Sequence, residues 1–453
     1  MSAPHDPRAD LRQQLLSQAR KRRRPAPPVA RPTEGEQNAA PPTDVSEHLI
    51  RFDAHPGYQQ IAMMREGARR LGLTDPFFKV HDGNAGASSV IGGRECLNFS
   101  SYNYLGFSGD ARVNRAACDA VARYGTSVSA SRVVSGERPV HRQLEQALAS
   151  AYRAEDAVAF VSGHATNVST LGYLLGPKDL VLHDEYIHNS TLMGAQLAGA
   201  RRIAFPHDDT DALDALLTRH RHQFERVLIV IEGLYSMDGD VPDLPRFIEL
   251  KQRHQAWLMV DEAHSFGVLG EHGLGLREHF QLDSTAVDIW MGTLSKSLAG
   301  CGGYIAGCRA LVETLRYLAP GFLYSVGLPA QVAAPALEAL TLMQQEPERV
   351  ARLHEISRYF LEQARDLGLD TGHSIGAAVV PVIVGNSPLA ARLSHGLFEQ
   401  GINVQPILHP AVPEKSARLR FFLCCDHTRR QIDTTLHTLT KMLKDASTPL
   451  DTT

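Results

Sequence analysis

Residues 257–270 read WLMVDEAHSFGVLG: four apolar side chains, then a carboxylate, Asp261, and three positions later a histidine, His264. A continuous apolar run of this length, without polar alternation, is the pattern of a strand covered on both faces. A carboxylate at the end of such a strand is costly without a partner, so Asp261 either caps the next helical turn or meets a cation or N–H donor. His264 either joins the same ligand or satisfies a loop carbonyl.

Similar runs lie on both sides. AVAFVSG (157–163), DLVLHDE (179–185), RVLIVIEG (226–233) and DIWMGTLSK (288–296) are short and β-branched or apolar, and helical spacing separates them. Strands alternating with helices predict a mostly parallel sheet with helices on both faces. After YSVGLPAQ (324–331), residues 328–368 read as helical. AAVVPVIVG, GINVQPI and ARLRFFLC then read as three strands of a smaller C-terminal α+β domain. The expected organisation is a tail at 1–45, an N-terminal segment at 46–110 with an opening helix, a large domain at 111–327, a small domain at 328–445 and a tail at 446–453. Ile61, Met64, Ala68 and Leu71 give that opening helix its stripe.

Within the first tail, KRRRPAPPVARP (21–32) is basic and proline-rich, and residues 1–45 hold no aromatic side chain. Leu11, Leu15 and Leu16 share one face of a short basic helix that Pro25 would end. It reads as a solvated arm or as a docking segment for a partner.

The 46 basic and 50 acidic side chains give a net charge of −4, which leaves no overall field to attract nucleic acid or anionic membrane. The six cysteines have neither CxxC nor zinc-ligand spacing and read as reduced, buried thiols of a cytoplasmic protein. No metal site is expected. No apolar run has transmembrane length, and no signal-peptide core is present.

Ligands of open α/β sheets bind beyond the carboxyl ends of the strands, and the polar residues gather there. Ser162-Gly163-His164 leads from a strand into a helix, whose free N–H groups and positive dipole end suit an anion. Lys296 follows the strand after Asp261. A lysine for an imine, a carboxylate for a ring nitrogen and a phosphate turn together describe a pyridoxal phosphate site. Lysine suits this because its amine loses its proton when desolvated.

These residues sit in motifs that resemble, in combination and order, the α-oxoamine synthases of the fold-type-I pyridoxal phosphate enzymes. That family includes 8-amino-7-oxononanoate synthase, 5-aminolevulinate synthase, 2-amino-3-ketobutyrate CoA ligase and serine palmitoyltransferase. The motifs are NFSSYNYLGFSGD, SRVVSGERPVHRQLE, FVSGHATN, HDEYIHNSTLMGA, IEGLYSMDGDVPDL, VDEAHSFGVLGEHGLG, GTLSKSLAGCGGYIAG, LYSVGLP and ARLRFFL, spread between residues 54 and 443.

The resemblance implies an aspartate-aminotransferase-like fold and a set of roles. Lys296 is the covalent lysine and later the proton-transfer base, and Asp261 pairs with the pyridine nitrogen. His188 stacks on the ring, while His264 and Ser236 approach the phenolic oxygen. Thr293 and the Ser162-Gly163-His164 turn take the phosphate, with Ser325 of a second subunit contributing in a homodimer. Arg420 takes the amino-acid carboxylate, with Asn103 as a further contact.

The implied reaction is a decarboxylative Claisen-type condensation of glycine, alanine or serine with an acyl thioester on carrier protein or CoA. Two features set the chain apart. GTSVSASR (125–132) stands where several members carry a GSGGSR loop, and YNYLG (102–106) stands where they read NDYLG. The whole resembles members associated with polyketide synthases, whose partner would be an acyl carrier protein. The competing expectations are a CoA-specific synthase of primary metabolism, an aminotransferase of the same fold, and a non-catalytic partner subunit, against which Lys296 argues.

Overall fold

The computed structural model describes residues 45–447 apart from 71, 73 and 74. The basic, leucine-bearing segment and the last residues of the chain lie outside this range. Among the described residues, those up to Arg70 and those from Gly72 onward form separate compact units. In the first, Pro56–Arg70 is helical as the spacing predicts, but none of its residues is buried.

The second unit is built on a seven-stranded sheet. In spatial order its strands are Asp156–Phe160, Gly303–Gly307, Ile289–Thr293, Trp257–Asp261, Val227–Glu232, Leu180–Asp184 and Arg201–Phe205. Gly303–Gly307 runs antiparallel to both neighbours, and all other pairings are parallel. Val227–Glu232 is buried at all six positions, which is why VLIVIE can dispense with polar alternation. Helices follow the strands, and several begin on a side-chain cap: Ser162, Asp209 and Asp243 each accept a first-turn N–H.

The helical stretch after residue 328 divides into Ala330–Gln345 and Pro347–Asp366, with Pro347 opening the second helix. The small sheet is antiparallel, in the order Val379–Ile383, Arg418–Phe422, Gln405–Ile407. A mostly parallel large sheet and a smaller C-terminal sheet are thus both present.

Two expectations change. GINVQPI is split: Gln405–Ile407 joins the small sheet, whereas Ile402–Asn403 pairs with Leu97–Asn98. That pairing completes a further sheet of His81–Asp82, Ser88–Ile91 and Arg94–Asn98, strands unforeseen in the N-terminal segment. Gly92 and Gly93, both at positive φ, form the two-residue turn between the last two. The cysteines also divide, since Cys96, Cys424 and Cys425 are buried as expected but Cys118, Cys301 and Cys308 are exposed on a helix face and in turns.

Among the described residues, no helix is long and apolar enough to cross a membrane.

Candidate active site

Where the strands of the large sheet end, a cavity of ≈ 310 Å³ opens, walled by their terminal residues and closed by Arg420 from the small sheet. Asp261 is 4% exposed at the end of its strand. Its Oδ2 accepts from Asn167 Nδ2 at 2.9 Å and its Oδ1 from the Ala263 N–H at 3.0 Å. Two donors on a buried carboxylate fix its plane.

Asn167 reaches further. The same Nδ2 donates to Ser190 Oγ at 2.9 Å. The Ser190 backbone N–H donates to His188 Nδ1, so that nitrogen carries no proton and the Ser190 hydroxyl donates to it at 2.7 Å. The chain from Asp261 through Asn167 and Ser190 to His188 therefore leaves the N–H of His188 on Nε2. Burial keeps His188 below the usual histidine range, with the Asp261 charge pulling the other way.

Lys296 stands on the turn after Ile289–Thr293, its Nζ 5.5 Å from the centre of the Tyr102 ring. Burial pushes its amine down to about 8 against the attraction of Asp261, and the Arg420 charge adds to the depression. A lysine in this state has free amine available near neutral pH.

His264 is buried as well, with Nδ1 2.8 Å from the Tyr104 hydroxyl and its ring nearly parallel to that of Phe422. Burial, then the Lys296 charge, holds it well below the usual range. The Tyr104 phenol, pushed up by its own burial, stays protonated and shares a hydrogen bond with Nδ1; with the phenol as donor, the Nε2–H of His264 is free to donate.

The anion end is formed by the first turn of Gly163–Leu174. Thr293 Oγ lies 3.0 Å from where a Cβ on Gly163 would sit, so a side chain there would fill the cradle. Thr293 donates to the Gly302 carbonyl at 2.9 Å and accepts from the Ser295 N–H at 3.2 Å. Ser162 does not line the cavity, because its Oγ caps the helix by accepting from the Ala165 N–H.

Ser236 and Met237 form one wall on the loop after Val227–Glu232. Arg420 Nη1 donates to the Ser236 carbonyl at 2.9 Å and approaches Met237 Sδ at 3.4 Å, with its guanidinium 4.7 Å from the Phe422 ring centre. Arg420 Nε is buried without a partner, and among the described residues the guanidinium makes no ion pair. Such a cation suits a carboxylate.

Nine expected residues therefore share one cavity: Gly163, His164, His188, Ser236, Asp261, His264, Thr293, Lys296 and Arg420. Asn103 is not among them. Its Nδ2 donates to the Ser108 carbonyl and its Oδ1 accepts the Ser108 N–H, which commits the side chain to its own loop. It lines an adjoining cavity of ≈ 320 Å³, while its neighbour Tyr102 lines both. Ser325 lies elsewhere, in a depression with Val133, Val134 and Tyr324.

Asn167, Ser190, Tyr102 and Glu232 were missed. Glu232 ends a buried strand as Asp261 does, and the same reading of RVLIVIEG finds it.

The residues fit pyridoxal phosphate on grounds the structure itself supplies. A desolvated lysine faces a carboxylate that accepts two hydrogen bonds, and a glycine cradle opens at a helix N-terminus. Asn167 Oδ1, Glu232 Oε1 and Arg420 Nε are also buried and unpartnered.

Residues 94–439 match the family model described as aminotransferase class I and II. An 8-amino-7-oxononanoate synthase of Symbiobacterium thermophilum is 41% identical over 376 residues, which cover 83% of this chain and 95% of that protein. Among solved structures, serine palmitoyltransferase of Sphingomonas wittichii is similar with a TM-score of 0.82 and 30% identity, covering 86% of this chain and 98% of that one. A serine palmitoyltransferase described as holding its PLP internal aldimine has the same TM-score and coverage at 28% identity.

Proposed function

The chain belongs to the aminotransferase class I and II family and, within it, to the α-oxoamine synthases, pyridoxal phosphate-dependent C-acyltransferases, and from this premise we propose that it joins a small α-amino acid to an acyl thioester with loss of carbon dioxide, giving an α-amino ketone. The observation that carries this reading is Arg420, an unpaired cation for an amino-acid carboxylate, in the same cavity as the weakly basic amine of Lys296.

Bound pyridoxal phosphate supplies an electron sink for the carbanion at the amino acid's α-carbon. Lys296 would hold the cofactor covalently, and its free amine would then take the α-proton and return it after carbon–carbon bond formation. Its basicity near neutral pH suits both directions of transfer. Asp261, fixed by Asn167 and Ala263, would keep a proton on the ring nitrogen. His188, oriented through Ser190, would pack on the ring face. Thr293 with the N–H groups of Gly163 and His164 would hold the phosphate.

Ser236 and His264 would approach the phenolic oxygen. The Nε2–H of His264 would also donate to the oxygen that gains charge as the thioester carbonyl is attacked. Arg420 would hold the carboxylate until it leaves. Ser162 contributes by starting the phosphate helix, and Asn103 by shaping the loop that presents Tyr102. In the homodimer we propose, Ser325 of the partner subunit completes the phosphate site.

The amino acid is glycine, alanine or serine, and the thioester is carried on an acyl carrier protein or CoA. The product named for the curated relatives, 8-amino-7-oxononanoate, is itself an α-amino ketone. YNYLG is shared with the serine palmitoyltransferase branch, whereas SYNYLGFSGD, YGTSVSASRVVSGERPVH and FVSGHATNVSTLG together favour the carrier-linked reading within polyketide biosynthesis.

The test offers the purified holoenzyme each amino acid with one acyl chain, linked in turn to carrier protein and to CoA, and identifies products by mass spectrometry. An α-amino ketone with carbon dioxide released in equal amount is expected, and faster turnover from the carrier protein. Pyridoxamine phosphate formed from amino acid alone would identify an aminotransferase instead.

A further inference from the structure

Glu232 is the strand-end residue in register with Asp261 on the neighbouring parallel strand, and both side chains line the cavity. The two carboxyls are served unequally. Asp261 receives a donor on each oxygen, from Asn167 and from Ala263. Glu232, 3% exposed, receives only the Ser236 N–H on Oε2 at 3.0 Å, and its Oε1 is buried with no partner.

The charged groups facing Glu232 are Asp261 on one neighbouring strand and Asp184 on the other, Lys296 from the turn after Ile289–Thr293, and Arg420 from the small sheet. The Tyr235 hydroxyl is close as well. Asp184 is spoken for by His207, which lies 3.1 Å from it. Among the described residues, Glu232 has no ion-pair partner, and a carboxylate stands in the strands on either side. Two carboxyls this close in a dry site share one charge, and the one with fewer donors keeps the proton.

We propose that Asp261 and Glu232 act as a pair holding a single proton, kept on Oε1 of Glu232, so that the cavity presents one carboxylate and one carboxylic acid O–H. The inference rests on this cavity being the cofactor site. Glu232 is then a hydrogen-bond donor inside it, and Lys296 feels the charge of Asp261 without that of a second carboxylate. Burial and the Asp261 charge act in the same direction, raising Glu232 to about 8.

Infrared spectroscopy of the apoprotein, between pH 5.5 and 9, tests the pairing without any catalysed reaction. Wild type should show a protonated-carboxyl band at pH 6.5 that E232Q lacks and that fades near pH 8. Glu262, also buried and raised to about 8, gives a second such band that E232Q keeps and E262Q loses. Should E232Q not fold, E262Q isolates the Glu232 band. D261N removes the neighbouring charge and should move the fading of the Glu232 band down by about one unit or more.

Reductive methylation of Lys296 at pH 6.5, where Glu232 keeps its proton, followed by peptide mass spectrometry, should proceed at the same rate in E232Q as in wild type, since glutamine mimics the neutral acid. Absence of an E232Q-sensitive band at pH 6.5, a D261N midpoint equal to wild type, or Lys296 methylation about tenfold faster in E232Q at pH 6.5 would each overturn the pairing. All these readouts are independent of product formation, so a failure of the proposed condensation would leave them standing.

Discussion

Asn167 is the residue on which two walls of the cavity depend. One amide nitrogen holds Asp261 on one side and Ser190 on the other, and through Ser190 it sets which nitrogen of His188 bears hydrogen. Replacing it with aspartate is nearly isosteric but turns a donor into an acceptor, 2.9 Å from a buried carboxylate oxygen. The repulsion can be relieved only by taking up a proton or by moving Asp261. N167D should therefore bind pyridoxal phosphate roughly 10- to 150-fold more weakly, from about 1.5–3 kcal/mol for a lost hydrogen bond to a charged group. N167A should lose less, because it removes the donor without adding a charge. Titration of the apoproteins with cofactor, followed by absorbance, measures both, and equal affinity in N167D and wild type would refute the dependence.

At the scale of elements, the phosphate end is built by a helix and a strand that approach more closely than side chains permit. A Cβ on Gly303, the first residue of the antiparallel strand Gly303–Gly307, would lie 2.7 Å from the Gly163 Cα and 2.5 Å from Thr166 Oγ. Neither obstacle can yield without shifting the N-terminus of the helix Gly163–Leu174. A Cβ on Gly300 meets nothing nearer than 3.4 Å. G303A should lower the melting temperature by several degrees, consistent with overpacking of about 1–3 kcal/mol, and should weaken cofactor binding at least tenfold. G300A should do neither. Thermal melts with and without cofactor separate the two effects, and a G303A apoprotein as stable as wild type would show that the helix and strand can part freely.

Over the whole molecule, legibility in the sequence tracks burial. The large sheet was legible because runs such as VLIVIE are buried on both faces and end in charge, and Asp261 and Lys296 emerge from the same pattern. The strands at 81–98 were not, since Ser88–Ile91 and Arg94–Asn98 are half exposed and carry polar residues, leaving only the Gly92-Gly93 turn as a signal. Asn103 and Ser162 stand off the lining of this cavity because local hydrogen bonds claim both, and spacing does not tell which way a side chain turns. Least legible was the join between the two sheets, which depends on contacts some 180 residues apart. Arg418 and Arg420 stand two apart on one strand, so both point the same way, and both reach the loop after Val227–Glu232. Arg418 donates to Asp238 at 2.6 Å, with side chains 5% and 10% exposed. This ion pair positions the strand from which Arg420 closes the cavity. R418A leaves a buried carboxylate unpaired and should cost about 3–5 kcal/mol. R418A/D238A should cost less than the sum of the single variants, with coupling of about 0.5–3 kcal/mol in urea unfolding. Because Arg420 would be displaced in R418A, the amino-acid KM should rise severalfold more than the KM for the thioester. Additive single-variant costs together with an unchanged amino-acid KM would mean that the small sheet holds Arg420 in place without this ion pair.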